Sequence, residues 1–311
     1  MGSGPRWWTL VALGVATVAV NLGGVAYDAL LPAVSTPATR GTVSGLGVGV
    51  GYVGSFIGLA IGTVTLDILE LDFAPTFVAL GLGFLIFALP TFFLIPETTT
   101  PLPGRPPPLR SVAAETMASW KRAYALPNLF RFLIARFMYT DAINTLIGGF
   151  LAIYVQQELG FEVAETRNLL GVAIAAAVVG GIVLGRVVNR FGAHTVLTGA
   201  LITWVVAFIV AILAATTDTH ALAWVLAPLG GLALGATWTS DRVLMVELSP
   251  PGRIGEFYGL YATVGRFATV FGPLLWALVV DVLGLGRTTA LGGQIRHRVR
   301  PAPLGVGGRR P

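Results

Sequence analysis

The polar residues best suited to chemistry lie inside an apolar stretch. The segment RFMYTDAINTL, residues 136–146, sits within the run 128–155, which is long enough to cross a bilayer. On a helix, Asp141, Asn144 and Thr145 share one face, because positions three and four apart are neighbours. Burial in an apolar medium favours the protonated form of a carboxylate. The pattern predicts that Asp141 lines a polar interior and is a candidate for proton or cation coupling.

Further polar groups are candidates for the same interior. Arg136 and Tyr139 share a turn of this segment, and Tyr261 and Arg266 interrupt the apolar stretch EFYGLYATVGRFATVFGPL near the end of the sequence. Because buried charges in membrane bundles usually pair or face a water-filled pathway, we expect a contact between Asp141 and Arg266. The alternative for Arg136 is that its long side chain reaches the membrane surface.

Five other residues, at three sites, are weaker candidates for a functional role. Asp28 with Tyr27, and Asp241 with Arg242, lie near the ends of apolar stretches, where interfacial or loop-latching roles are expected. Asn21 lies deeper in its stretch and is a candidate to line the cavity. The alternative for Asn21 is an interhelical hydrogen bond.

These residues must be positioned by membrane-spanning helices. The sequence is 55% hydrophobic and only 11% charged, with a mean hydropathy of +0.79, whereas soluble domains contain about 25% charged residues. Apolar stretches long enough to span the bilayer occur at 7–31, 43–66, 73–95, 128–155, 168–188, 195–215, 221–241 and 257–282. Since backbone groups must be satisfied within lipid, the sequence predicts an all-α, polytopic, integral membrane bundle.

Several function classes are disfavoured. The sequence has no cysteine and only three histidines, all outside the apolar stretches, and it lacks the metalloprotease and nucleotide-binding motifs. Six of the twenty basic residues lie after residue 282, leaving fourteen against fifteen acidic residues, so no basic stripe favours nucleic acid. We therefore expect no enzyme activity, no metal, no cofactor and no nucleic-acid or nucleotide partner.

A glycine-rich face marks the second apolar stretch, SGLGVGVGYVGSFIGLAIG. At about 100° per residue its members fall within about 80° of one another, and they are Gly47, Gly51, Gly54, Gly58 and Gly62. Small residues at this spacing let helices approach closely. The sequence predicts that this face packs against another helix.

Basic residues divide the connections into two sets. Those at alternate connections define an arginine-rich face, which the positive-inside rule places in the cytoplasm: Arg40; Arg105, Arg110, Lys121 and Arg122; Arg186 and Arg190; Arg242 and Arg253. The opposite connections are acidic. Within the long connection 96–127, a proline-rich linker precedes a segment expected to form a short surface helix. It divides a bundle of three spans, 1–95, from a bundle of five, 128–282.

The sequence GRVVNRFG resembles the loop signature of the major facilitator superfamily, in which Gly, three residues, Asp, Arg, one residue and Gly join two helices. The matching positions are Gly185, Asn189, Arg190 and Gly192, with Asn189 in place of the usual Asp. The physical role we expect is a tight turn permitted by glycine and an arginine that latches one conformation. The substitution of Asn for Asp is expected to weaken the latch.

Three longer stretches resemble one branch of that superfamily, the vacuole effluxers or autophagy-related vacuolar amino-acid permeases. They are YDALLPAVSTPATRGTVSGLGVGVGYVGS (27–55), RFMYTDAINTLIGGFLAIYV (136–155) and ELSPPGRIGEFYGLYATVGRFATVFGPLLWALV (247–279). The resemblance implies a secondary transporter that moves a small polar solute, most simply amino acids, by alternating access between two six-helix halves, with possible coupling to protons. The expected location is the cell membrane of a prokaryote.

The resemblance also implies twelve spans, whereas eight are visible here. It places three spans before residue 7 and one after residue 282, and it puts the junction of the two halves in the proline-rich linker. The basic tail 283–311 conflicts with the expected orientation, so it is either disordered or a non-native replacement for a further span. The alternative function is a truncated, non-transporting membrane protein or scaffold.

Overall fold

The protein is a bundle of α-helices. The computed structural model describes residues 6–94, 109–146, 151–157, 159–217 and 219–278, and these ranges contain ten α-helices and no strand. The helices are α1 (Arg6–Ala29), α2 (Arg40–Gly62), α3 (Phe73–Leu94), α4 (Leu109–Tyr124), α5 (Pro127–Thr145), α6 (Leu151–Gln157), α7 (Val163–Phe191), α8 (Ala193–Thr217), α9 (His220–Leu248) and α10 (Ile254–Ala277). A π-helical segment, Thr63–Ile68, continues α2. The predicted all-α fold is confirmed.

Six segments in the described ranges are long and apolar enough to cross a membrane, and they correspond to α1, α2 with its π-helical extension, α3, α7, α8 and α9. The other two predicted spans, 128–155 and 257–282, include residues outside the described ranges. The span 128–155 is divided between α5 and α6, and α5 carries three charged residues. In α10, Arg266 and two tyrosines lower the mean hydropathy. The helices α5 and α10 therefore bring polar groups into the bundle, and α9 adds Asp241 and Arg242.

Parts of the predicted organisation lie outside the described residues. They include residues 95–108, which hold most of the proline-rich linker, and residues 279–311, which include the tail that was expected to be disordered or non-native. The segment expected to form a short surface helix contains α4, which ends with Lys121 and Arg122 in its last turn. Arg122 donates to Glu256 at the start of α10, so α4 is tied to the arginine-rich face.

The centre of the bundle is formed by α7 and α9, flanked by α2 and α8, while α10 packs on α5. The N-terminus of α7 is capped by Glu162 and Glu165, each of which accepts from a backbone N–H of the first turn. The helix ends at Gly192, whose φ of +85° favours glycine and lets α8 begin at the next residue.

Close packing between α2 and α7 depends on glycines. A Cβ on Gly45 would lie 2.8 Å from the Cα of Gly185 and against the carbonyl oxygen of Gly181. On the same face of α2, a Cβ on Gly41 or Gly49 would come within 2.5–2.8 Å of α7 side chains. These contacts bring the two backbones into direct apposition.

The packed glycine face differs from the predicted one. A Cβ added at Gly51, Gly54 or Gly62 would meet nothing within 4 Å, Gly58 approaches only Leu80 at 3.9 Å, and Gly47 lies against the Tyr27 hydroxyl. Among the described residues, Gly51, Gly54 and Gly62 thus make no close contact, whereas Gly47 lies close to α1. The spacing of the glycines was sufficient to identify α2 as a packing helix, but a second glycine set, about half a turn away, makes the contact.

Candidate functional site: a buried charge cluster between the helices

Arg136 of α5 and Asp241 of α9 form a buried ion pair. Asp241 is 0% exposed and Arg136 is 6% exposed. Two phenol hydroxyls donate to the same carboxylate: Tyr139 to Oδ1 at 2.9 Å and Tyr261 of α10 to Oδ2 at 3.1 Å. The carboxylate therefore joins three helices, and its charge is neutralised by one arginine and two hydroxyl dipoles.

The guanidinium of Arg136 is held on several sides. Its Nε donates to the backbone carbonyl of Tyr261 at 3.3 Å, and its central carbon lies 3.3 Å from the centre of the Tyr261 ring. Trp238 lies on another side, at 5.8 Å. A Cβ at Gly265 would lie 3.2 Å from a guanidinium nitrogen, so the backbone of α10 approaches Arg136 closely here. The alternative in which Arg136 reaches the membrane surface is wrong, because the side chain points into the bundle.

A second ion pair joins α1 to α9. The Nε of Arg242 lies 3.0 Å from Oδ1 of Asp28, and its guanidinium lies 4.9 Å from the Tyr27 ring. The hydroxyl of Tyr258 donates to the backbone carbonyl of Arg242 at 2.7 Å. Asp241 and Arg242 are adjacent in sequence, so one short piece of α9 connects the buried pair to the α1 contact. An interfacial role is wrong for Asp241, which is completely enclosed.

Asp141 and Arg266 are not in contact with each other, and the expected pair is therefore wrong. Oδ1 of Asp141 accepts from the backbone N–H of Gly272 in α10 at 2.6 Å. Arg266 donates to the backbone carbonyl of Asn21 in α1 at 2.7 Å. Asp141 contacts α10 six residues beyond Arg266, which is about 9 Å further along the helix axis. Asn144 lies half-buried beyond Asp141 on α5.

Asn21 does not offer its side chain to a cavity. Its amide nitrogen donates to the carbonyl four residues earlier in α1, at 2.7 Å. What Asn21 contributes to the contact with α10 is its backbone carbonyl. Arg136, Tyr139 and Tyr261 thus lie in one cluster. Four other predicted residues lie outside it: Asp141, Asn144, Asn21 and Arg266.

The proposed latch signature lies mostly within a helix. Gly185, Asn189 and Arg190 all belong to α7, and only Gly192 forms the turn. The prediction of a loop over these residues is therefore wrong, since the helix continues through them to Phe191. Arg190 is exposed, and its guanidinium lies 5.3 Å from the neighbouring Phe191 ring.

Asn189 instead caps another helix. Its Oδ1 accepts from the backbone N–H of Gly41 in the first turn of α2 at 2.7 Å, and its Nδ2 donates to the hydroxyl of Thr42 at 2.7 Å. The N-cap residue of α2, Thr39, makes no capping hydrogen bond with its own side chain. Asn189 thus satisfies a backbone donor that α2 leaves unpaired, and it ties the start of α2 to the end of α7.

An apolar cavity of about 340 Å³ lies within the bundle, apart from the charge cluster. It is lined by residues of α2 and α5 to α9, among them Tyr52, Trp204 and Leu226. Tyr52 hydrogen-bonds to Trp238, which in turn faces Arg136. The volume is within the range of small-molecule sites, about 300–1,000 Å³.

The sequence did not predict that Asp241 and Asp28 form ion pairs with arginines of other helices. Both were placed near the ends of apolar stretches, yet Asp241 lies seven residues before the end of α9, or about 10 Å inside it. The signal that could have identified it is the unbroken helix α9, which continues beyond the predicted end at 241. A charge inside a longer helix needs a partner in the bundle.

The arrangement favours ionic recognition over bond-making chemistry. Its groups are carboxylates, guanidinium groups, phenols and an indole. Among the described residues no group of three or more His, Cys, Asp or Glu side chains is placed to hold a metal ion. Such a set can bind charged or zwitterionic solutes and can exchange partners when a carboxylate is protonated.

Comparison with known proteins agrees with this architecture. A family model described as vacuole effluxer Atg22 like matches residues 34–289. An uncharacterized MFS-type transporter of Bacillus subtilis is 26% identical over 292 residues, which cover 90% of this chain and 67% of that protein. Autophagy-related protein 22-2 of Aspergillus clavatus is 28% identical over 268 residues, covering 78% of this chain and 44% of that protein. An uncharacterized protein of Aquifex aeolicus is 26% identical over 245 residues, covering 58% of its length. The chain thus spans less than half of the Aspergillus relative.

Proposed function

The chain belongs to the vacuole effluxer family of multi-pass membrane transporters, and on that premise we propose that it is a secondary transporter that moves amino acids across a membrane by alternating access. The observation that carries the proposal is the ion pair between Arg136 and Asp241, buried between α5, α9 and α10. Burying two charges costs several kcal/mol per ion. Buried ionisable groups within membrane bundles mark solute, ion or proton pathways.

The proposed halves are residues 1–95 and 128–282, joined through the linker. Among the contacts that join them are the ion pair between Asp28 and Arg242, inside the bundle, and the cap that Asn189 places on α2, at the arginine-rich face. Toward the opposite face, Asp67 after α2 pairs with Arg167 of α7. In alternating access these contacts form and break in turn as one bundle rocks against the other.

Coupling to protons is the finer part of the proposal, and Asp141 is its candidate. Its carboxylate is half-buried and accepts from the α10 backbone, so protonation would remove a charge and weaken a contact between α5 and α10. Asp241 is less suited, because its carboxylate is fully enclosed and already engaged by Arg136 and two hydroxyls.

Amino acids are proposed as the solute because the chain resembles the vacuolar permease branch, and the family description names efflux. The zwitterion of an amino acid suits an interior that offers both guanidinium and carboxylate groups. The cell membrane of a prokaryote is the proposed location, since relatives occur in Bacillus subtilis and Aquifex aeolicus as well as in fungi.

Flux measurements test the proposal. The purified full chain is reconstituted in liposomes, and uptake of radiolabelled amino acids is compared with that of empty liposomes, with and without a pH gradient. Wild type is expected to take up at least one amino acid, and Asp241→Asn to lose most of that uptake. Arg186→Gln, at an exposed side chain whose hydrogen bond stays within its own helix, is the control and should retain uptake. No flux by wild type, or equal flux by Asp241→Asn, would contradict the proposal.

A further inference from the structure

Three arginines lie within the bundle, and only two of them have an acidic partner. Arg136 pairs with Asp241 and Arg242 pairs with Asp28. Arg266 is the exception: its hydrogen bond across helices goes to the backbone carbonyl of Asn21, and no carboxylate in the described ranges lies within ion-pair distance of it, although Asp28 interacts with it electrostatically at longer range. A guanidinium has five N–H donors, and within the part of the chain that the structure describes the Arg266 side chain uses one nitrogen, in the bond to Asn21.

The position of Arg266 makes an unpaired charge costly. It lies twelve residues into α10 from Ile254, or about 18 Å from the arginine-rich face along the helix. A hydrocarbon core about 30 Å thick has its midplane near this depth. A charge at this depth is too far from the surface for the side chain to reach lipid headgroups, so it needs an anion or water in the interior.

The surroundings leave Arg266 accessible. Its side chain is half-buried, and it lies where α1 meets α10, which in the proposed halves belong to different bundles. Midplane sites between the two bundles are where secondary transporters bind their solutes. The Asn21 carbonyl holds one terminal nitrogen in place, leaving the rest of the planar group free for a two-point contact with a carboxylate.

We propose that Arg266 binds the carboxylate of the transported solute and is a specificity-determining residue. The inference rests on the proposed transport function and names the chemical feature of the substrate that is recognised: a carboxylate group. Arg136 and Arg242 are not suited to this role, because each is already neutralised by an aspartate. A solute carboxylate would neutralise Arg266 in the same way.

Binding of matched solutes tests the assignment. The full chain in lipid nanodiscs is screened by its thermal unfolding, since a ligand that binds the folded form stabilises it. The panel contains the common amino acids together with solutes that lack a carboxylate, namely glucose, choline and putrescine. The best amino acid is then compared with its carboxamide at about pH 6, where both amines are protonated. Wild type is expected to bind the acid at least tenfold more tightly than the carboxamide.

The variants separate recognition from folding. Arg266→Gln should reduce the preference for acid over carboxamide to about onefold, while Arg266→Lys should retain part of it, because a lysine keeps the charge but loses the planar fork. Arg186→Gln is the matched control: Arg186 is exposed and donates to a backbone carbonyl of its own helix. It should keep the wild-type ratio. If Arg266 had only a structural role, Arg266→Gln would weaken the binding of the acid and of the carboxamide equally.

The outcomes distinguish the two proposals. An unchanged acid-to-carboxamide ratio in Arg266→Gln overturns the role of Arg266 and leaves transport intact. Binding and flux only of solutes that lack a carboxylate overturn both the role of Arg266 and the choice of amino acids as the solute, while transport of another solute stands. If wild type neither binds nor transports any solute of the panel, both proposals are wrong.

Discussion

Arg136 and Asp241 form an ion pair that joins α5 to α9 with almost no exposure to the surroundings. Removing one partner of such a pair leaves an uncompensated charge in a medium that solvates it poorly. The resulting loss of stability is larger than at an exposed ion pair, where water and salt screen the interaction.

Asp241→Asn is therefore expected to lower the free energy of unfolding by about 3–5 kcal/mol. Asp67→Asn, at the exposed pair with Arg167, should change it by no more than about 1 kcal/mol. Both values can be measured by denaturant titration of the protein in detergent micelles. Because the double variant Asp241→Asn with Arg136→Gln has no orphan charge, it should be more stable than Asp241→Asn alone. If the double variant were less stable than Asp241→Asn alone, an unpaired buried charge would not be the source of the destabilisation.

Gly45→Ala should disrupt the contact between α2 and α7. Its new methyl group would lie 2.8 Å from the Cα of Gly185 and still closer to a backbone carbonyl, so the helices must separate, at a cost of about 1–3 kcal/mol. Gly51→Ala, on the same helix but with nothing within 4 Å, is the control. It should be neutral or stabilising by up to about 1 kcal/mol, since alanine favours helix. Equal melting temperatures for the two variants would rule out close glycine packing.

Asn189→Asp is expected to strengthen the tie between α7 and α2. An aspartate can still accept from the Gly41 N–H, it can accept from the Thr42 hydroxyl, and its negative charge is favoured at a helix N-terminus by about 0.3–1 kcal/mol. Asn189→Leu should lose both hydrogen bonds and about 0.5–2 kcal/mol. Thermal unfolding at low and high salt checks the charge effect, because added salt should reduce the gain of Asn189→Asp. A destabilised Asn189→Asp would contradict the capping role.

Asp141→Asn is expected to abolish the pH dependence of transport, because an amide does not titrate in the range where a carboxylate does. The substitution preserves an oxygen that can accept from the Gly272 N–H, so the fold should persist. The measurement is the initial rate of amino-acid uptake into liposomes over a series of external pH values. Asn144→Asp, one turn away on the same face, tests whether a carboxylate nearby can restore the dependence. Retention of the wild-type pH profile in Asp141→Asn would exclude Asp141 as the coupling group.

Locking the ends of α2 and α7 should arrest transport. The chain has no native cysteine, so Thr42→Cys with Asn189→Cys introduces a single defined pair at side chains that are in contact. Oxidation is expected to stop flux and reductant to restore it, because alternating access requires this contact to open. Each single-cysteine variant is the control for oxidation alone. Undiminished flux with a fully formed disulfide would exclude movement at this contact.

The sequence by itself determined the membrane-embedded, all-helical character of the protein and its family. Long apolar stretches permit little else in lipid, and the resemblance of residues 27–55, 136–155 and 247–279 is carried by local order along the chain. The sequence also identified Arg136, Tyr139 and Tyr261 as polar groups that need partners in the interior.

Only the tertiary structure decided which groups meet. The pairing of Arg136 with Asp241, and not Asp141 with Arg266, depends on the heights and rotations at which α5, α9 and α10 pack. In the same way, Gly45 packs closely and Gly51 does not, because the rotation of α2 relative to α7 selects one glycine face. Periodicity defines which residues share a face, whereas contacts across helices are set by side-chain packing between segments that are distant in sequence.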